Sequence, residues 1–111
     1  MIGITQAVVQ YLGRCLPNPV SAEIPERAAG EFVVVAKLGG GEKNRISESS
    51  VRISCYADSL ANAENLSGEV QAAMDNMVFL PEVSAVEYGG DYNATENKKY
   101  CFEVMYTITH Y

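Results

Sequence analysis

The sequence predicts an α+β domain: a mixed, mostly antiparallel sheet of about four strands with two main helices packed on one face. Three observations lead there. Apolar residues recur at helical spacing in two separate stretches, one near the N-terminus and one in the middle of the chain. Two other stretches, Ser47–Ala57 and Lys99–Tyr111, alternate apolar and polar residues with the period of a half-buried strand. The resulting order is helix, strand, strand, helix, strand, strand, which favours an antiparallel sheet with its helices on one side.

The first helix is expected from about Thr5 to Leu16. Ile4, Val8, Tyr11, Leu12 and Cys15 form its stripe, with Thr5 as a possible N-cap and Pro17 and Pro19 as its stop. Val20–Ile24 reads as a short extended segment between two prolines. Glu31–Leu38 follows as a strand, because Phe32 and three successive valines suit a position covered on both faces. Gly39-Gly40-Gly41 and the residues up to Arg45 are expected to form a mobile hairpin loop. In the next strand Val51, Ile53 and Cys55 point one way, and Arg52, Ser54 and Tyr56 the other.

Asp58 or Ser59 then caps a long helix to about Met77, whose stripe is Leu60, Ala63, Leu66, Val70, Ala73, Met74 and Met77. Val83–Tyr92 is expected as a strand broken by Gly89-Gly90, and Asn93–Lys98 as a polar turn. The final strand sets Tyr100, Phe102, Val104, Tyr106 and Ile108 toward the core, with Cys101, Glu103, Met105, Thr107 and Thr109 opposite.

At 111 residues, with 48% hydrophobic side chains, the chain is one domain with enough apolar material for a core of its own. Eight basic and 14 acidic residues leave a net charge of −6, which argues against general affinity for nucleic acid or anionic lipid. The charge is uneven: residues 58–77 carry four carboxylates and no Lys or Arg, whereas residues 1–57 are close to neutral. No apolar stretch approaches the ~20 residues of a membrane span, and the N-terminal residues lack the pattern of a secretion signal. Three cysteines without paired spacing fit a reducing compartment, with Cys15 and Cys55 expected as small buried hydrophobes.

The residues point to no reaction. Cys15, Cys55 and Cys101 sit on separate elements and the one histidine, His110, is next to the end, so no metal site is expected. Cys101 and His110 lie too far apart on one strand to touch. The glycine triplet lacks the lysine and hydroxyl spacing of a phosphate loop. Lys37, Lys43, Arg45 and Arg52 form a modest basic cluster around the loop, without interleaved aromatics. No catalytic residue, cofactor or metal is therefore expected.

The stretch Ser50–Leu66, SVRISCYADSLANAENL, resembles small tailed-phage and prophage morphogenesis proteins: tail terminator (tail completion) proteins, minor capsid proteins and head–tail joining proteins. In these an alternating strand ends in an aromatic and a small acidic turn before an alanine-rich helix. Leu80-Pro81-Glu82-Val83, the segment Tyr88–Tyr92, the final strand Lys99–Thr109 and the helix stopped by Pro17 are similar to that group as well.

The resemblance implies a structural virion protein, made in the host cytoplasm and incorporated at the tail or neck. Its copies would form a ring, typically hexameric, that caps the head-proximal end of the tail tube and meets the head connector. DNA would pass through the lumen without specific binding. Lys43, Asn44 and Arg45, with Lys37 and Arg52 nearby, are then the expected contacts to the tube protein or a neighbouring subunit. A head–tail adaptor of the same assembly fits equally. A different class also stays open: a small intracellular binding module with a pocket lined by Tyr11, Tyr56, Tyr100 and Tyr106.

Overall fold

The computed structural model describes residues 3–26 and 30–111. In chain order it contains α1 (Ile4–Cys15), β1 (Val20–Ser21), β2 (Phe32–Lys43), β3 (Ile46–Ala57), α2 (Leu60–Asp75), a 3-10 turn (Met77–Phe79), β4 (Val83–Asn93) and β5 (Tyr100–His110). The class is α+β, with five strands rather than about four. They are ordered β1-β2-β3-β5-β4, and every neighbouring pair is antiparallel except β1 with β2. The added strand is the two-residue β1, which pairs Val20 with Val33 and Ser21 with Val34.

Two long hairpins make up most of the sheet. The first closes on Asn44 and Arg45, both at positive φ (55° and 66°), a two-residue turn whose twist matches that of the strands it joins. The second turns through Asn97 and Lys98, again both at positive φ. The glycine triplet therefore lies inside β2, not in a loop. A register shift between Lys37 and Gly39 carries the strand across it, and Gly39, Gly40 and Gly41 pair with Ser50, Ser49 and Glu48. Gly40 has a steric reason to be there, since a Cβ at this position would stand 2.5 Å from the Glu48 carbonyl oxygen. β4 likewise runs unbroken through Gly89-Gly90, with a shift between Tyr88 and Gly90 that Gly90 absorbs at φ 119°.

Both helices cover one face of the sheet. Alternation in the strands aims Val33, Val35, Val51, Ile53, Cys55, Val104, Tyr106 and Ile108 at that face, where they join Val8, Leu12, Leu66, Val70 and Met74 in one core. Full burial of each large aliphatic side chain contributes about 1.5–3 kcal/mol. The α2 stripe is as expected except that Leu60 is exposed and the helix ends at Asp75, with Met77 reaching the core from the 3-10 turn. Ser59 is the α2 cap, its hydroxyl accepting from the Asn62 N–H at 3.2 Å. Thr5 is not the cap of α1. That helix begins one residue earlier behind Gly3, with no side-chain cap. The Tyr11 hydroxyl donates to the Ala73 carbonyl at 2.6 Å and ties the helices together.

Candidate assembly surface

The sheet has two long sides without a strand neighbour among the described residues. β1 covers β2 only at Val33 and Val34, so the outer side of β2 is open from Val35 to Lys43. On the far side β4 is open over its whole length, Val83–Asn93. Each side presents backbone donors and acceptors to a further strand. Their charges differ in sign. The open part of β2 and its turn carry Lys37, Lys43 and Arg45 against Glu42, whereas β4 carries Glu87 and Asp91 and no cation. β4 also displays Tyr88 and Tyr92, both about half exposed. The Tyr88 hydroxyl donates to Asp91, and its ring meets Tyr106 edge-on at 5.8 Å.

The five residues expected at an interface do not form one cluster. Lys43, Asn44 and Arg45 stand together, exposed, at the tip of the first hairpin. Lys37 lies back along the same strand, exposed on the helix-bearing side opposite Val51. Arg52 belongs elsewhere. It projects from the open face, level with Ala36 and Met105, and its Nε sits 3.0 Å from Glu103 Oε2. That approach is an ion pair but is not aligned as a hydrogen bond, so the Arg52 Nε–H has no hydrogen-bond partner.

Glu103 is the centre of the open face, and sequence reasoning missed it. Its carboxylate accepts from Ser54 Oγ at 2.7 Å and from the Tyr92 hydroxyl at 2.7 Å, besides pairing with Arg52. Three strands, β3, β5 and β4, are thereby joined through one side chain. The hydrogen bond to the carboxylate raises the Tyr92 pKa above that of an ordinary phenol. Alternation placed Ser54, Arg52 and Glu103 on the same face, but only the register brings Tyr92 to them. Next to this cluster the Phe32 and Tyr56 rings stack at 4.7 Å.

A second polar contact is hidden in the sheet. Ser49 Oγ and His110 Nε2 lie 2.9 Å apart, with both residues buried. Among the described residues His110 Nδ1 has no hydrogen-bond partner, so no third group is placed there to orient a Ser–His nucleophile. The cysteines divide differently from expectation: Cys15 is exposed at the end of α1, while Cys55 and Cys101 are buried. Burial pushes the Cys55 thiol up to about 12 and, with help from the Glu103 charge, the Cys101 thiol up to about 11.

The four tyrosines expected to line one pocket do not meet. Tyr11 and Tyr106 are buried on the helix side, whereas Tyr56 and Tyr100 line a separate cavity at the far end of the sheet. Among the described residues no group of three or more His, Cys, Asp and Glu side chains is placed to share a metal ion, and no helix is long and apolar enough to cross a membrane. No protein-family model matches the chain, and no curated protein is significantly similar to it.

Proposed function

We propose that this protein is a structural subunit that closes into a ring with copies of itself, and that the ring is a phage or prophage tail terminator, as the resemblance of Ser50–Leu66 implies. The observation that carries the ring is the pair of open sheet edges, on opposite sides of the subunit and opposite in charge. Two unlike edges on opposite sides make a heterologous contact, and a heterologous contact closes into a ring when its rotation divides a full turn.

The strand directions agree with such a contact. β2 runs parallel to β5, and β4 runs against β5, so β4 and β2 point in opposite directions. Copies related by rotation about an axis along the strands join β4 to the next copy's β2 as an antiparallel pair. In the sheet's own register Lys37 is level with Val51, Tyr106 and Tyr88. Lys37 of one copy then arrives beside Tyr88, on the same face as Asp91 of the next. The helices face outward and the open face lines the lumen. That lining carries the hydroxyls of Ser50, Ser54, Thr107 and Thr109 and an excess of carboxylate, a surface along which DNA slides without sticking. The exposed hairpin tip, Lys43-Asn44-Arg45, is left at one end of the ring to meet the tail-tube protein or the head connector.

Native mass spectrometry across a wide concentration range, with negative-stain imaging, tests the ring. A closed oligomer with a central hole is expected, six copies being the number the resemblance implies. Isolated tail tubes added to the protein should then be capped. Reversing Lys43 and Arg45 to glutamate should leave the far-UV spectrum and melting temperature unchanged and reduce capping. Unchanged capping by that variant removes the tip from the contact, and a strict monomer both alone and with tubes removes the ring.

A further inference from the structure

A cavity of about 160 Å³ lies between α1, the 3-10 turn and the paired ends of β4 and β5. Of the two open edges it meets only the first residue of β4, Val83, away from Lys37, Tyr88 and Asp91. Its floor is apolar, formed by Ile4, Met77, Leu80 and Val83. Two side chains beside it have unfilled bonding capacity. His110 is 93% buried, since its exposure is 7%, and it spends Nε2 on Ser49 while Nδ1 has no partner among the described residues. A buried polar nitrogen left unmade destabilises a fold unless something else satisfies it. Arg14, in the last turn of α1, lines the same cavity and forms no ion pair among the described residues.

We propose that this cavity binds a small monocarboxylate with a compact apolar body. The size sets the body: an apolar cavity of about 150 Å³ accepts benzene, so this one holds a single six-membered ring or a short branched chain. The guanidinium of Arg14 receives the carboxylate at the mouth, where its planar fork matches two oxygens. With the Ser49 hydroxyl donating to Nε2, His110 carries its proton on Nδ1 and donates to an oxygen of the ligand. Glu82, also on the lining, sets the charge. One carboxylate is balanced by Arg14, but a second would face Glu82, so dianions are excluded. Site and ring are independent, and the monomer suffices to test the site.

Benzoate is the probe. Titrated into the folded protein and followed by two-dimensional NMR, it should shift the amides of α1 and of residues 80–83 together with the His110 ring nitrogens. A Kd of about 1 mM is expected for so few ligand atoms. Arg14 is exposed, so Arg14→Gln should keep the fold yet weaken benzoate roughly tenfold, while benzyl alcohol binds both proteins alike. Phthalate should bind only after Glu82→Gln. The proposal is overturned if benzoate leaves the His110 nitrogens unmoved at saturating concentration. It is also overturned if Arg14→Gln binds benzoate as well as the parent, or if phthalate binds the parent as tightly as benzoate does.

Discussion

The two outer strands of the sheet are built in opposite ways. Along β2 the open stretch is glycine-rich and basic, and Gly40 lies so close to β3 that no side chain fits on the near side. Along β4 the strand shifts register twice, carries two exposed tyrosines and is acidic. Neither suits a copy of itself: two β2 edges would set lysine against lysine, and two β4 edges would set carboxylate against carboxylate. Each suits the other. On the proposed reading, unlike edges disfavour the two-fold dimer that a self-complementary edge would give and favour the head-to-tail contact.

That contrast is open to attack at each edge. The largest effect is expected from Gly40→Val, which drives a side chain into the Glu48 carbonyl that a Cβ already reaches at 2.5 Å. A loss of about 2–4 kcal/mol by urea unfolding is expected, since the strand must move to relieve the overlap. An unchanged midpoint would show that the first hairpin is looser than drawn. Next is Glu103→Ala, which takes away the acceptor shared by Ser54, Tyr92 and Arg52 and unties β4 from its neighbours. About 1–3 kcal/mol is expected, together with faster amide exchange along β4 than along β2. Equal acceleration in both strands would mean that Glu103 does not hold the acidic edge in particular.

The charges themselves are tested by a swap. Lys37→Glu should weaken ring closure by about 1 kcal/mol per contact, and adding Asp91→Lys, which lies on the same face of the sheet, in the same chain should restore it. Additive losses in the double variant would show that the two residues do not face each other. The smallest effect at neutral pH concerns the thiols. Cys55 stays protonated in the folded protein to about pH 12, whereas the unfolded chain releases that proton near 9. The contribution is therefore fully present below pH 9 and is lost as the pH rises from 9 toward 12. Ellman titration at pH 8 should find Cys15 reacting at once and the other two only in denaturant.

Most of the scaffold was legible because it is written in local periods. Helical spacing gave both helices, and alternation assigned the faces of β3 and β5 correctly down to Arg52, Ser54 and Glu103. The glycine triplet misled because glycine is a poor strand former in isolation. Here β3 holds it in place from one side, which is a tertiary effect. Asn44-Arg45 lacks the glycine that usually marks a two-residue turn, so the loop was expected to be longer than it is. β1 falls in the extended segment expected at Val20–Ile24, but its pairing with β2 through two residues has no signal in the sequence. The site divided along the same line. The hairpin tip was visible because its residues are adjacent. The Glu103 cluster and the Ser49–His110 contact join residues 49 and 61 positions apart, which no period encodes.

The two short turns carry a consequence for how the chain reaches this shape. Each hairpin is closed by neighbouring residues, so each can form on the microsecond scale without the rest of the molecule. The seam that unites them, β3 with β5, pairs residues as distant as Ser47 and His110, with α2 in the loop that its closure must order. The centre of the finished sheet is therefore its most non-local pairing, and closing it is expected to weigh most on the folding rate. Changes at Asn44 or Asn97 should alter how often the hairpins are available. Changes at the seam, such as Val104→Ala, should alter how fast they meet.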